Sequence, residues 1–419
     1  MSSPHDAVAA WSIISVTTIG VIVRPFRLPE AIWAVTGAIA LVGFGLLPWA
    51  DAFAGIRKGS DVYLFLAGMM LIAELARREG LFDWLAALAV EHAKGSSRRL
   101  FLLVYLVGTF VTVLLSNDAT AIVLTPAVYA ATRAAGATPL PYLLACAFVA
   151  NAASFVLPIS NPANIVVFGA HMPHLVEWLR LFAAPSVAAI VVTYLALRLT
   201  LARAIGAEQI ETSVLRPELG YGGRLSAFGI LAVGMVLTGA SALDISLGLP
   251  TFLCGVATCA LVLTLNRQSP LPLLAEISWS VLPLVAGLFV LVEALVRMGV
   301  IAQLTTVLRA GAASSPAATA WMVGVATALA DNIANNLPVG LVAGSVAGSG
   351  ELPNSVVAAV LIGVDLGPNL SITGSLATIL WLVALRREGI DMTAWRFLRI
   401  GALVMPPALL ASLALIGVR

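Results

Sequence analysis

Apolar runs alternate with short polar interruptions along almost the whole chain, and the interruptions are of two kinds. One kind carries arginine or lysine and reads as ordinary loops. The other carries asparagine, aspartate, serine and threonine without a cation, and it lies inside apolar sequence. Its clearest instance is Ser116-Asn117-Asp118-Ala119-Thr120, between apolar runs over 101–115 and 121–131. Neither run comfortably reaches the ~20 residues that a helix needs to cross the hydrocarbon of a bilayer. Two such arms meeting at a polar knot predict a re-entrant hairpin, because non-helical backbone at that depth survives only inside protein or against a cavity. The competing reading is a polar kink in one long helix.

In chain order, the pattern predicts spans over 8–23, 30–49 and 60–76, then an amphipathic interfacial segment over 81–92. The first hairpin follows and ends near Arg133. Residues 139–168 form a long apolar stretch interrupted by Asn151, Pro158, Asn161, Pro162 and Asn164, the pattern of a discontinuous helix. A span over 175–201 leads to a polar connector, a helical pair over 225–240 and 246–265, and a further span over 278–296. Residues 316–346 then repeat the hairpin around Asp331-Asn332-Ile333-Ala334-Asn335-Asn336-Leu337-Pro338. A second interrupted helix covers 354–385, broken around Asp365-Leu366-Gly367-Pro368-Asn369, and 395–417 is the last span. The expected organisation is N-terminal scaffold helices (1–59), a first repeat (60–202), a cytoplasmic linker (203–224), a connecting helix pair (225–277) and a second repeat (278–419).

The two halves match in sequence. Ala67-Gly68 through Glu74, Arg78 and Gly80 recur as Ala286-Gly287 through Glu293, Arg297 and Gly299, at the constant offset of 219 that separates Gly80 from Gly299. The same offset carries Asn117 onto Asn336. With a five-residue shift, Asn151 meets Asp365, and Ala163-Asn164-Ile165 meets Ala377-Thr378-Ile379. Five predicted spans separate the starts of the copies, and an odd number inverts the second. The fold class is thus an all-α polytopic membrane protein, with about ten spans, two re-entrant hairpins and two inverted repeats containing discontinuous helices. With the Arg24/Arg27 loop placed in the cytoplasm, seventeen Lys and Arg residues fall inside and six, among them Arg419, outside. That bias predicts a bacterial-type inner membrane protein with both termini periplasmic.

Composition agrees. Sixty per cent hydrophobic and 11% charged residues exclude an ordinary globular enzyme, and a net charge of +2 leaves no footprint for nucleic acid. No basic stretch precedes the first apolar segment, so that segment is expected to be retained. Cys146, Cys254 and Cys259 lie in apolar runs without disulfide or metal spacing and read as small buried hydrophobes. His171 and His174 border a loop at i,i+3 and read as no metal site. Glu74 with Arg78, and Glu293 with Arg297, read as i,i+4 ion pairs, and Asp61 and Asp244 as loop-edge charges.

These residues carry a resemblance. Ser116 to Ala121, leading to Leu124-Thr125-Pro126, resembles the first signature of the arsenite efflux permeases (arsenical pump membrane proteins) of the ion transporter superfamily. Asn335-Asn336-Leu337-Pro338 is similar to their second asparagine-rich tip. Gly363 to Pro368 with Gly374 to Leu382 is similar to their third signature, and the likeness runs in order through essentially the whole chain. It implies efflux of arsenite, and of antimonite, from the cytoplasm, driven by the proton motive force. It also implies a homodimeric scaffold with a moving transport domain and, in some systems, a soluble cytoplasmic ATPase partner. Sodium-coupled relatives carry Ser-Asn-Thr in both hairpins. Here the tips read Ser116-Asn117-Asp118 and Asn335-Asn336-Leu337, which argues against sodium coupling.

Arsenous acid is a neutral trihydroxide near neutral pH and needs paired donors and acceptors rather than a fixed cation. Asparagine supplies both from one group, and half-helix ends add free backbone groups. The candidate substrate-binding set is Asn117, Thr120, Asn151, Asn161, Asn164, Asn332, Asn335, Asn336, Asn369, Ser371 and Thr373. No Lys or Arg falls in these breaks, although an organic dianion would call for one or for bound sodium. No cofactor and no metal site is expected. Neutral cargo cannot itself use the membrane potential, so coupling requires a titratable group. Asp118, Asp365 and Asp331, in that order, are the candidate proton carriers, since a carboxylate at that depth is costly as an anion. The alternatives are a sodium/proton antiporter or sodium-coupled anion carrier of the same superfamily, a passive channel, and an intramembrane hydrolase using Asp118 and Asp365.

Overall fold

The computed structural model describes residues 4–169, 172–206, 210–211, 217–243, 245–348 and 352–416. Those residues are overwhelmingly helical, and no β-sheet occurs among them. His171, Arg216, Asp244 and Arg419 lie outside the described residues.

The first half comprises α1 (Pro4–Val23), α2 (Glu30–Gly43), α3 (Trp49–Lys58), α4 (Ser60–Arg78), α5 (Leu81–Ala93), α6 (Ser97–Leu114), α7 (Asn117–Ala119), α8 (Thr125–Ala134), α9 (Leu140–Ala152), α10 (Pro162–Phe168), α11 (Leu175–Thr200) and α12 (Ala202–Ile205). The second comprises α13 (Tyr221–Ala242), α14 (Gly248–Leu265), α15 (Pro270–Glu276), α16 (Val281–Arg297), α17 (Val300–Ser314), α18 (Pro316–Ala334), α19 (Asn336–Ala347), α20 (Asn354–Leu366), α21 (Leu376–Arg387) and α22 (Ala394–Ala414). Six of these are long and apolar enough to cross a membrane, and eight spans result if the bent pairs α3/α4 and α15/α16 each count as one. The chain is a polytopic membrane protein. Taking α2 and the broken pairs α9/α10 and α20/α21 as spans, and α6 as a hairpin arm, recovers the ten-span pattern of the sequence.

The duplication is visible element by element. α1 to α6 recur in order as α13 to α18, the α7–α8 arm as α19, and α9, α10 and α11 as α20, α21 and α22. The bent pairs turn by 45° and 44°. Ser96 and Ser315, 219 apart, cap α6 and α18, accepting from the backbone N–H groups of Arg99 (3.4 Å) and Ala318 (3.2 Å). Gly80 and Gly299 open α5 and α17 at φ +75° and +79°, a left-handed conformation that suits glycine. The correspondence takes in α1–α3 and α13–α15, which the sequence pattern assigned to a scaffold and a connecting pair.

The halves interlock through exchanged neighbours: α14 packs on α4, and α2 packs on α16. The matched glycines Gly68 and Gly287 permit this. A Cβ at Gly68 would lie 2.6 Å from the Thr251 carbonyl, and one at Gly287 would lie 2.7 Å from the Ala34 carbonyl carbon. Only a residue without a side chain lets these backbones approach so closely.

Several details differ from the sequence pattern. α3, α15 and α17 are helices it did not mark. α6 is longer than its apolar run, because the Ser96 cap starts it in polar sequence. The ion pairs also differ. Glu74 accepts from Arg77 (2.6 and 2.9 Å) rather than pairing with Arg78, and Arg77 also pairs with Glu276. Glu293 takes Lys58 (2.6 Å), and Arg297 takes Asp51. The cause is tertiary: α3 and α15 deliver their charged ends to the opposite half. The linker is tied down at Ile210, whose N–H donates to Gly95 O (3.2 Å), and at Glu211, whose N–H donates to Ala135 O (2.9 Å).

Candidate functional site

Four helix N-termini converge at the centre, and each is capped by a side chain from its own break. Ser116 Oγ accepts from Ala119 N–H (3.2 Å) at the start of the second arm of hairpin 1. Asn335 Oδ1 accepts from Leu337 N–H (3.3 Å) at the start of α19. Asn161 Oδ1 accepts from Ala163 N–H (3.0 Å) at α10, and Ser375 Oγ accepts from Thr378 N–H (3.1 Å) at α21. Short polar side chains at these breaks outcompete continued helix by supplying the first orphan N–H with an acceptor. Asn335 does so at φ +71° and ψ 150°, outside the left-handed helical well, a conformation that few residues other than glycine adopt. The second arm of hairpin 1 contains a π-turn, Thr120–Leu124, a deformation that often marks functional sites.

Between these ends lies a small central cavity, lined by Asn117, Asp118, Asn161, Asn336 and Ser375 together with apolar Leu66 and Val281. It leaves about 10 Å3 for the centre of a water molecule, enough for one water. Both hairpin tips and both broken helices contribute to it. Among the described residues no Lys, Arg or His lines it, and Asp118 is its one carboxyl. The fixed positive potential comes from the converging helix ends instead. A vestibule of about 90 Å3 adjoins it, sharing Leu66, Asp118, Pro162, Val281 and Leu376, and runs to Glu74 and Glu276. Asp118 therefore borders both spaces.

Behind the cavity, a buried network joins the halves. Asn151 Nδ2 donates to Asn369 Oδ1 (3.0 Å) and Thr378 Oγ1 (3.4 Å), and Asn369 Nδ2 donates to Phe148 O (3.1 Å). Asn161 Nδ2 donates to Asp365 Oδ1 (2.7 Å). Its counterpart across the repeat is Ser375 Oγ on Asn151 Oδ1, at 3.5 Å.

Of the residues singled out in the sequence, Asn117, Asp118, Asn161 and Asn336 meet at the cavity. Asn151, Asn369 and Asp365 belong to the network behind it. Asn164 donates to Ser154 O (2.8 Å) and Leu157 O (3.1 Å), holding the first helix break open. Thr120 shares a hydrogen bond with Thr112 (2.8 Å) inside hairpin 1. Asn332, Asn335, Ser371 and Thr373 form a separate knot: Ser371 Oγ donates to Asn332 Oδ1 (2.6 Å), Thr373 Oγ1 to Asn332 O (3.1 Å) and Asn335 Nδ2 to Thr373 O (3.1 Å). Asp331 is fully buried, and neither carboxylate oxygen has a hydrogen-bond partner. Ser375 went unmarked, although the five-residue shift that pairs Asn151 with Asp365 also pairs Asn161 with it. Leu66 and Val281 carry no signal, being ordinary apolar residues of α4 and α16. Among the described residues no group of three His, Cys, Asp or Glu side chains could hold a metal.

Comparison with known proteins places this architecture. The chain is 28% identical over 423 residues to an arsenical pump membrane protein of Escherichia coli, covering 98% of each. It is 26% identical over 406 residues to an uncharacterized transporter of Mycobacterium tuberculosis, covering 92% of each. In fold it is similar to the crystal structure of the Alcanivorax borkumensis YdaH transporter, described as having an unusual topology, with a TM-score of 0.59 at 15% identity over 99% of this chain and 98% of that one. The family model described as citrate transporter, CitMHS, matches residues 13–364. With its two hairpins and two broken helices meeting at one central cavity, this multi-pass membrane transporter belongs to the CitMHS family.

Proposed function

We propose that this protein exports arsenite, and antimonite, from the cytoplasm in exchange for protons by alternating access. The observation that carries the reading is the central cavity itself, made of carboxamides, a serine hydroxyl and helix N-termini with no basic side chain. Such a surface offers donors and acceptors to a small polyhydroxyl acid and no counter-charge to a carboxylate-rich one. The names of the Escherichia coli relatives, matched over nearly their full length, support the same cargo. The ligand set is Asn117, Asn161, Asn336 and Ser375. Asn151 and Asn369 stiffen it from behind, and the knot around Asn332 positions the second hairpin. The central space is too small for the cargo here, so loading requires a hairpin to withdraw. The vestibule past Asp118 marks the side from which it loads, which the positive-inside pattern makes the cytoplasm. The same reading puts the protein in an inner membrane with both termini periplasmic, as a homodimer and with room for a cytoplasmic ATPase partner.

Asp118 is the proton carrier in this reading, because it alone among the three candidate carboxyls faces both the cavity and the vestibule. Everted vesicles given separate proton, sodium and ATP driving forces test it. Arsenite should accumulate under the proton gradient, and Asp118→Asn should abolish accumulation while leaving arsenite binding and downhill exchange. Accumulation by Asp118→Asn under an imposed pH gradient would remove Asp118 from this role. A sodium-coupled organic-anion carrier is the second reading, favoured by the family's description and by the positive helix ends. Strict sodium dependence with citrate accumulation would establish it in place of the first.

A further inference from the structure

Charged side chains are almost absent from the interior. Among the described residues, Asp331, Asp365 and Glu74 are the only buried Asp, Glu, Lys, Arg or His side chains. Glu74 has its arginine. Asp331 and Asp365 sit on the packed helices α18 and α20, both fully buried, and Asp331 Oδ2 faces Gly367, two residues beyond Asp365. Three of their four carboxylate oxygens, both of Asp331 and Oδ2 of Asp365, have no hydrogen-bond partner. The fourth accepts from Asn161. Charged and imidazole residues on the helices packed around them, namely His5, Glu177, Arg180, Arg198, Arg309, Arg396 and Arg399, are exposed, and Asp6 of α1 is half-buried. The pair is thus a cluster of acceptors facing no cation and, besides the Asn161 amide, only the Ser154 hydroxyl, which also serves Asn151 O, an arrangement that as two anions would be strongly unfavourable.

The duplication sharpens the point. The positions matching Asp331 and Asp365 in the first half are Thr112 and Asn151, both neutral and both hydrogen-bonded. Packing around these sites therefore does not need a carboxyl. Neither the central cavity nor the vestibule reaches either carboxyl, so neither gives a hydrated cation room beside them. A proton needs no such space.

We propose that Asp331 and Asp365 form one proton-binding site, sharing a single proton between two carboxyls, and that Asn161 ties this site to cargo in the central cavity. Asn161 can do so because it lines the cavity, caps α10 through Oδ1 and holds Asp365 through one amide hydrogen. Its second amide hydrogen is free to meet cargo. Pulling the amide toward cargo weakens its hold on the ionised carboxyl and shifts the shared proton toward Asp365. The proton comes from water and returns to it, and no bond of the cargo changes. The proposal rests on the proton-coupled reading above and adds a second acid site to it, distinct from Asp118.

Infrared difference spectroscopy on the purified full-length protein tests it, by following the carbonyl band of a protonated carboxyl with and without sodium arsenite. Apart from any band that Asp118→Asn removes, the wild type should show one such band. Asp331→Asn and Asp365→Asn should each shift it, the double variant should lose it, and Asp118→Asn should leave it in place. Asparagine at 365 copies what the first half holds at Asn151, so the variant keeps a residue this site accommodates. No band, a band that survives the double variant, or two bands each lost with one residue would overturn the shared proton. Loss of the band on replacing choline with sodium would overturn it in favour of a cation site. Arsenite should move the band in the wild type and not in Asn161→Ala, and binding without movement would overturn the link. Failure of arsenite to bind the wild type would instead sink the proposed cargo, with the band assignment still decided by the variants.

Discussion

Replacing Asn151 by alanine should loosen the join between the two halves, and the structure sets the size of the effect. Asn151 is buried, and its amide reaches Asn369, Thr378 and Ser375 of the second half. Thr378 and Ser375 retain each other (3.0 Å), so neither is orphaned by the change. Asn369 fares worse. Its Nδ2 stays on Phe148 O, but its Oδ1 loses its donor in a site with no access to solvent. A lost hydrogen bond contributes about 1 kcal/mol, and a stranded buried acceptor a further ~1–3 kcal/mol, giving roughly 2–4 kcal/mol in all. In a chain of this size that is a fall of a few degrees in the unfolding midpoint. The assay is thermal unfolding of the purified protein in detergent, run with Asn369→Ala and the double variant. Since the two side chains share one bond, the double variant should cost less than the sum of the singles by on the order of 1 kcal/mol. Additive losses, or an unchanged midpoint for Asn151→Ala, would refute the reasoning.

Three further outcomes follow. A variant with Cys146, Cys254 and Cys259 all changed to alanine should retain arsenite export, because none of the three lines the central cavity and Cys259 Sγ is engaged with Leu71 O (3.6 Å). Loss of transport in that variant, stably expressed, would restore a thiolate mechanism. Gly68→Val and Gly287→Val should each destabilise by at least about 1–3 kcal/mol, since their side chains would enter backbone of the opposite half. Gly234→Ala, in the interior of α13 with nothing within 4 Å of the added carbon, should be neutral or slightly stabilising in the same unfolding assay.

Apolar periodicity and polar breaks were enough to recognise a duplicated, polytopic helical protein with two hairpins. The reason is that lipid leaves the backbone few choices: a segment is helical, or its irregular part is buried in protein. The breaks were legible for the same reason, though not that their polar residues serve as caps. Ser116, Asn161 and Asn335 stand where a helix must begin in the middle of apolar sequence, and there a short polar side chain is the available acceptor. What the sequence could not tell was which polar residues meet. Asn117, Asn161 and Asn336 face one cavity, while Asn332, Ser371 and Thr373, equally polar and equally near a break, satisfy one another elsewhere. Glu74 shares Arg77 with Glu276 instead of pairing with Arg78, because α15 arrives from the other half. Asp331 and Asp365 looked like two separate break residues until the packing of α18 on α20 put both behind the site. Local sequence sets where a helix starts and stops, through short-range hydrogen bonding. The company a side chain keeps depends on how the two halves interlock, and that contact lies some two hundred residues away along the chain.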